Sequence, residues 1–321
     1  KRAFKRAGGK TDELYRSYTR QASNFVFPYI NTTVYGDGRP RPGKFRVTDK
    51  QAIKLMEGRA DKLEGISTID VEAYMAAIKA YVGGFKDYLL KLKEESRIAG
   101  RSIDDDLKEF KDNFESKYKL SFKTFWKTAP AKSKLLVEMY NSSPKMTAIT
   151  FMSYVSPGPV LIYSNYVRVE GLEVLRAYLG IIGFKSYADP DAKDYFSYCE
   201  FHGGISKEER EKVRADFNLV GNMHGKNIKL FLLSPSGAEG INLHNVRQVH
   251  IMEPYWTEVR IEQIIGRAFR YCGHAALPLA ERVVAVFRYK VTKPKDVLET
   301  DQIQWTADQI VEDLAKAKDN L

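Results

Sequence analysis

Cysteine is nearly missing: Cys199 and Cys272 are the only two in 321 residues. They lie far apart and fit no CxxC spacing, which argues against a disulfide framework and a structural zinc site. A reducing, intracellular compartment follows from such sparing use, and no metal-ligand set is read from the sequence. No run of ~18 apolar residues occurs, so a transmembrane helix and a membrane partner are excluded. There is no initiating Met and no signal-type apolar segment, so the chain reads as a piece of a longer protein. Repeats and low-complexity tracts are missing too. Acidic residues are scarce in one place: residues 1–46 hold Asp12, Glu13 and Asp37 against eleven Lys and Arg.

That scarcity locates the net charge of +10. Residues 1–142 carry 29 basic against 19 acidic side chains, and residues 143–321 carry 22 of each. The whole excess therefore lies in the first part. A basic block attracts polyanions, nucleic acid being the usual partner, although it also suits a solvated tail. Hydrophobic residues at 44% and charged residues at 29% describe an ordinary globular chain. At ~100–200 residues per domain, the length allows two domains or one domain with an insertion.

Four regions are predicted. Residues 1–47 form a basic connector, with turn chemistry in GDGRPRPGK at 36–44. Residues 48–142 form a charged helical insertion, expected to stand as a separate subdomain. Thr48 or Asp49 caps a helix to about Gly58. Val71 to Arg97 is a long helical stretch with a break at Gly83-Gly84. Ile103, Leu107, Phe110 and Phe114 share one helical face within 103–118, with Asp104 to Asp106 in the first turn favouring the dipole. From 143 to 291, apolar strand runs at 159–163, 195–201, 229–233, 248–252 and 282–291 alternate with helices at 169–180, 206–218 and 257–270. Gly180 ends the first of these, and Ser206 with Glu209 makes a capping box. Strands alternating with helices give an α/β fold with a parallel sheet and helices on both faces. Functional loops then belong at the carboxyl ends of the strands. Residues 292–321 are a C-terminal helical extension. Its helix begins near Trp305, with Ile310, Val311 and Leu314 on one side.

Three segments carry chemistry. In EQIIGRAFR (262–270), a helical pitch places Gln263, Arg267, Arg270 and the preceding Arg260 within one arc. Ile261, Ile264, Ile265, Ala268 and Phe269 fall on the opposite side. Two arginines three residues apart make guanidinium forks pointing the same way, which suits a polyphosphate in a transition state. The same spacing also fits a surface helix whose arginines pair with acids. In LFLLSPSGAEGINL (230–243), an apolar strand enters a loop with Ser234, Ser236, Gly237, Gly240 and Asn242. Such small residues let backbone N–H groups approach an anion; an ordinary strand-to-helix turn reads the same way. HGGIS (202–206) is a third loop, in which His202 reads as a hydrogen-bonded loop residue and Gly203 and Gly204 permit close backbone contact.

In sequence and order, VLIYSN (160–165), FHGGISKEER (201–210), LLSPSGAEGINL, HIMEPYW (250–256) and EQIIGRAFR resemble motifs IV to VI of superfamily-two helicases. That implies the second RecA-like lobe of a nucleic-acid-dependent ATPase. The Q-x-x-G-R-x-x-R form is similar to that of Swi/Snf-type translocases and of helicase-like ATPases of large DNA viruses. RNA helicases usually have His-Arg before the Gly-Arg. TRQASNFVFP (19–28) and SPKM (143–146) are similar to the poxvirus-type nucleoside triphosphatase I group and its early-transcription-factor relative. The resemblance implies arginine fingers at Arg267 and Arg270. It places Gln263, Gly240, Asn242 and Glu239 on the nucleotide side, and Ser164, Asn165, His202, Gly203, Ser234 and Ser236 along the nucleic-acid backbone. Glu239 departs from the pattern: relatives usually carry a small or apolar residue there, and a carboxylate repels phosphate. DNA is implied over RNA, with transcription machinery as a further partner. A viral source would place the protein in the virion or host cytoplasm.

GGKT (8–11) imitates a phosphate-binding loop, but G-x-x-x-x-G-K-[ST] needs glycine where Phe4 stands, and no apolar strand precedes it. Asp12-Glu13 likewise follows no strand. ATP and Mg²⁺ would therefore be held mainly by an N-terminal RecA-like lobe outside this sequence. This chain alone is expected not to hydrolyse ATP.

Overall fold

The computed structural model describes residues 20–28, 39–57, 67–237, 240–293 and 305–319. Helices α1 (Asp49–Met56), α2 (Thr68–Ile98), α3 (Ile103–Asp112), α4 (Phe122–Thr128), α5 (Lys134–Ser142) and α6 (Pro144–Tyr154) precede the first strand. Then follow β1 (Val160–Tyr163), α7 (Leu172–Ile181), β2 (Lys185–Ser186), β3 (Ser197–Phe201), α8 (Lys207–Phe217), β4 (Leu230–Leu233), β5 (Gln248–Ile251), α9 (Glu258–Ala268), β6 (Ala285–Arg288) and α10 (Ala307–Asp319). The six strands form one sheet in the order β2-β3-β4-β1-β5-β6, every pair parallel. This is the expected α/β arrangement with a parallel sheet.

Side chains alternate across the sheet with period two. Val160, Ile162, Leu230 and Leu232 join a core with the helices that precede the sheet and with α7. Leu161, Tyr163, Phe231, Leu233, Val249 and Ile251 join the opposite core, with Ile261, Ile264 and Ala268 of α9. Helices therefore cover both faces. Parallel strands buried on both sides need continuous apolar runs, which is why these strands are conspicuous in the sequence. The two-residue, polar β2 has no such run and escapes a sequence reading.

The helical region is no detached unit. Phe85, Leu89, Phe110, Phe125 and Leu136 lie in the same continuous core as β1 and β4. Helix α2 runs unbroken through Gly83-Gly84. Its stripe Tyr74, Ile78, Val82, Phe85, Leu89 and Leu92 is buried. Each glycine costs about 1 kcal/mol of helix propensity, and burying Val82 and Phe85 on either side outweighs that at ~1.5–3 kcal/mol each. Helix α3 stops at Asp112 rather than continuing to 118. Lys119 and Leu120 turn the chain through left-handed conformations, and Tyr118 returns to the core against Phe125 at 5.1 Å. Asp106 has a second duty beyond the helix dipole: it accepts from Arg101 Nε at 2.7 Å and from the Ser133 amide at 3.0 Å, tying α3 to the start of α5.

Three smaller corrections share a cause, in that packing moves the boundary. Helix α7 passes Gly180 to end at Ile181, whose side chain is buried, and the left-handed glycine is Gly183. Helix α10 buries Asp308, Val311 and Ala315, leaving Ile310 and Leu314 half-buried at the flanks. The described parts of the basic connector are built into the fold. Phe25 and Val47 are core residues, and Arg39 pairs with the buried Glu170. The expected cap at Thr48 is there as a full capping box with Gln51, and Ser206 accepts the Glu209 amide at 3.1 Å.

Candidate functional site

The carboxyl ends of β1, β4 and β5 and the helix α9 converge on one edge of the sheet. Along α9 lies a cleft of ≈ 240 Å³, lined by Pro235, Tyr255, Thr257, Val259, Arg260, Gln263, Ile264 and Arg267. Arg267 and Gln263 are thus brought together, as the wheel requires. The lining contains two arginines and no carboxylate. Arg267 Nε is buried without a hydrogen-bond partner among the described residues. An arginine left unpaired in a cleft wall is a ready anion contact.

Arg270 behaves differently. Helix α9 ends at Ala268, and its C-cap Phe269 leaves helical geometry with φ −113° and ψ 77°. Arg270 therefore sits exposed in the following turn, where its carbonyl accepts from the Gly273 amide at 3.0 Å. The two arginines do not project from one rigid helix. Phe269, which the helical pitch puts on the apolar side, is exposed as a result.

The loop after β4 is stitched to α9. The Leu243 amide donates to the Arg267 carbonyl at 3.0 Å, and the Asn245 amide to the Gly273 carbonyl at 2.9 Å. Gly240 is left-handed with φ 74°. Asn242 is exposed, its carbonyl accepting from Asn218 Nδ2 at 2.9 Å. Glu239 lies outside the described residues, as do GGKT and Asp12-Glu13.

The small-residue loops meet one another. Ser236 Oγ accepts the Gly203 amide at 2.8 Å and lies 3.1 Å from Ser234 Oγ. Gly237 packs so closely on β3 that a Cβ there would stand 2.3 Å from the Phe201 carbonyl oxygen. His202 is buried, its Nδ1 accepting the Gly204 amide at 3.1 Å, which leaves Nε2 to carry the proton, 3.6 Å from Glu200. Burial opposes the Glu200 charge, but His202 and Arg176 outweigh it and hold that carboxyl below its ordinary value. His202 is a loop brace, as a lone histidine in such a turn suggests.

Ser164 and Asn165 are not presented at the surface. Both are buried, and both serve Glu253: Ser164 Oγ donates to Glu253 Oε1 at 3.0 Å, and the Asn165 amide donates to the same oxygen. Asn24 Nδ2 donates to Glu253 Oε2 at 3.1 Å. Lys145 Nζ donates to Asn24 Oδ1 at 3.1 Å and to Asp308 Oδ2 at 2.5 Å. Arg20 donates to the Pro254 carbonyl at 3.0 Å and stands over Trp256 at 4.9 Å. The stretches RQASN, SPKM, VLIYSN and HIMEPYW are therefore neighbours in one polar network. Burial pushes the Glu253 carboxyl upward, while the Lys145 charge and the Asn165 amide pull it back. Sequence reading missed Glu253; a carboxylate at the carboxyl end of a buried strand was its one signal.

Residues 142–272 match the helicase conserved C-terminal domain family. The chain carries a helicase conserved C-terminal domain. A protein of Acanthamoeba polyphaga mimivirus, named as an ATP-dependent RNA helicase, is 46% identical over 316 residues, covering 98% of this chain and 38% of that protein. The termination factor NPH-I homolog of African swine fever virus is 33% identical over 183 residues, covering 46% of this chain and 26% of that protein. The chain thus spans well under half the length of either relative. Among solved structures, the C-terminal part of the Fun30 ATPase domain is similar at 16% identity, covering 86% of this chain and 94% of that one, with a TM-score of 0.35. No helix of the described residues is long and apolar enough to cross a membrane.

Proposed function

We propose that this chain is the C-terminal lobe of a viral nucleic-acid-dependent ATPase, and that the α9 cleft meets the phosphates of ATP held by a facing lobe. The observation that carries the reading is the cleft itself: Arg267 and Gln263 side by side, Arg267 Nε unpaired, and no carboxylate in the lining. A γ-phosphoryl group in transfer spreads charge over its equatorial oxygens, which a guanidinium stabilises without proton transfer. Arg267 takes that role, Gln263 supports the phosphates, and Arg270 is the second finger, approaching from the turn. Because the Leu243 amide is bonded to the Arg267 carbonyl, a shift of the finger moves the loop at Gly240 and Asn242. That is a physical route from nucleotide state to the nucleic-acid side. Mg²⁺, with most of the phosphate contacts, is assigned to the facing lobe.

The nucleic-acid edge is the surface formed by Gly203, Gly204 and Ser236, where two exposed glycines without side chains let a sugar-phosphate backbone approach closely. We take duplex DNA as the polymer and transcription as the setting; the name of the African swine fever virus relative supports the second point. A second reading, RNA, is favoured by the name of the mimivirus relative. Stimulation of ATPase activity in the full-length protein decides: duplex DNA above single-stranded RNA supports the first, and the reverse overturns it. Arg267→Ala or Arg270→Ala in that protein should lower kcat by roughly 10³-fold while nucleic-acid binding persists. A change below about threefold would return α9 to a surface helix or a non-catalytic binding module. The chain alone should hydrolyse no ATP, and turnover insensitive to Arg267→Ala would refute this.

A further inference from the structure

Arg260 stands in the same cleft, seven residues and so about 10 Å along the helix from Arg267, and the motif pattern gives it no role. Its guanidinium lies over the Tyr255 ring at 4.7 Å, and its Nη1 donates to the Tyr255 hydroxyl at 3.2 Å. The Tyr163 hydroxyl is its other polar neighbour; that hydroxyl in turn donates to Asn165 Oδ1 at 3.0 Å. No carboxylate among the described residues pairs with Arg260. Burial works against its charge, and the two tyrosines more than offset that.

An arginine has five N–H donors in a rigid fork, and two hydroxyls leave part of that fork facing the cleft. Neutral tyrosines satisfy geometry but do not neutralise charge. A half-buried guanidinium held only by neutral partners keeps its full charge for an anion entering the cleft. The stack on Tyr255 also fixes the side chain beforehand, so little entropy is lost when the anion arrives. The network behind it is rigid: Asn165 is bonded to Glu253, and Glu253 to Asn24.

We propose that Arg260 is a third cationic contact for the phosphate chain of the nucleotide, pre-set by Tyr255 and Tyr163 and contributing to binding more than to turnover. This rests on the α9 cleft being the nucleotide site. Arg267 meets the charge that develops during transfer, whereas Arg260 meets charge already present in the ground state. Uniform binding of ground and transition states lowers KM and leaves kcat in place.

The test uses the full-length protein, with ATP as substrate and inorganic tripolyphosphate as competing inhibitor. Arg260→Ala should raise KM for ATP about tenfold, weaken tripolyphosphate by a similar factor and hold kcat within about threefold. Arg260→Lys keeps the charge but loses the fork and the stack; an intermediate loss is expected, and it serves as the assay if the alanine variant does not fold. Duplex DNA binding without nucleotide should be unchanged in both. If both variants bind ATP and tripolyphosphate within twofold of the parent while Arg267→Ala abolishes turnover, the Arg260 proposal fails and the finger assignment stands. If ATP weakens but tripolyphosphate does not, the contact is to base or ribose and the proposal is overturned. A loss of DNA affinity with nucleotide binding intact would also overturn it. Should Arg267→Ala leave turnover unchanged, the cleft reading itself falls.

Discussion

Lys229 is an ammonium group in the wrong solvent. It sits at the entrance to β4, 5% exposed, with Nζ donating to the Ser156 carbonyl at 2.6 Å. No carboxylate pairs with it among the described residues. Burial, reinforced by the Arg247 and Lys111 charges, pulls its pKa down to about 8. An unfolded lysine keeps its ordinary value near 10.4. Between those values the unfolded chain binds more protons than the folded one, so stability rises with pH. The sign is thus opposite to that of a salt-bridged lysine. Relative to Lys229→Met, the parent should gain roughly 2 kcal/mol between pH 7.5 and 9.5. Urea midpoints at the two pH values read this directly, and parallel curves for parent and variant would show that Lys229 titrates normally.

At the scale of elements, two glycines near the site have opposite reasons to exist. Gly266 lies inside α9, where glycine costs roughly 0.5–1 kcal/mol against alanine, and an added Cβ would meet nothing within 4 Å. Gly237 lies in the loop after β4, where a Cβ would stand 2.3 Å from the Phe201 backbone. Gly266→Ala should therefore stabilise the lobe by about 0.5–1 kcal/mol, and Gly237→Ala should destabilise it by more than that. Paired thermal melts check both, and a destabilising Gly266→Ala would disprove the open-space argument. If Gly266→Ala stabilises yet slows the ATPase activity proposed for the full-length protein, the bare backbone is there to admit a ligand. The elements themselves were legible to very different degrees. Strands β1 and β4 are continuous apolar runs that sequence marks plainly, β3, β5 and β6 mix polar residues into theirs, and the helical phase of Gln263 and Arg267 follows from spacing. The stop after Ala268 does not, because the apolar spacing carries on through Phe269. Nor is the burial of Ser164 and Asn165 legible, since Glu253 and Asn24, which hold them, are distant in sequence.

The whole molecule has one interior on each face of its sheet, and that constrains what can be removed. Helices α2 to α5 supply Phe85, Leu89, Phe110, Phe125 and Leu136 to the core that also contains Val160 and Leu230. A Gly/Ser linker in place of 48–142 would strip that core of these side chains and uncover the apolar sides of α6 and α7. Large-to-small changes at single core positions cost ~2–5 kcal/mol, so losing several at once exceeds the ~5–15 kcal/mol that holds an ordinary domain together. The excised chain should be insoluble or bind hydrophobic dyes. A soluble, cooperatively melting product would show that the region is a detachable module after all.

The basic block divides on the same grounds. Arg20 and Arg39 are engaged within the lobe, Arg20 at Pro254 and Trp256 and Arg39 at Glu170, so they are poorly placed to meet a phosphate backbone. Their removal would also damage the network around Asn24. Residues 1–18 lie outside the described residues and hold Lys1, Arg2, Lys5, Arg6, Lys10 and Arg16 against Asp12 and Glu13. If this chain grips nucleic acid electrostatically, those six cations can release counterions, each contributing about −0.9 to the slope of log K against log salt on duplex DNA. Deleting residues 1–18 should flatten that slope by roughly three to five units while the thermal midpoint stays in place. Arg20→Ala should do the reverse, lowering the midpoint through the lost contacts at Pro254 and Trp256 with little change of slope. Fluorescence anisotropy with a labelled duplex between low and moderate salt separates the two. An unchanged slope after the deletion would make residues 1–18 a solubilising tail and move the search for the polyanion surface to the Gly203–Ser236 edge.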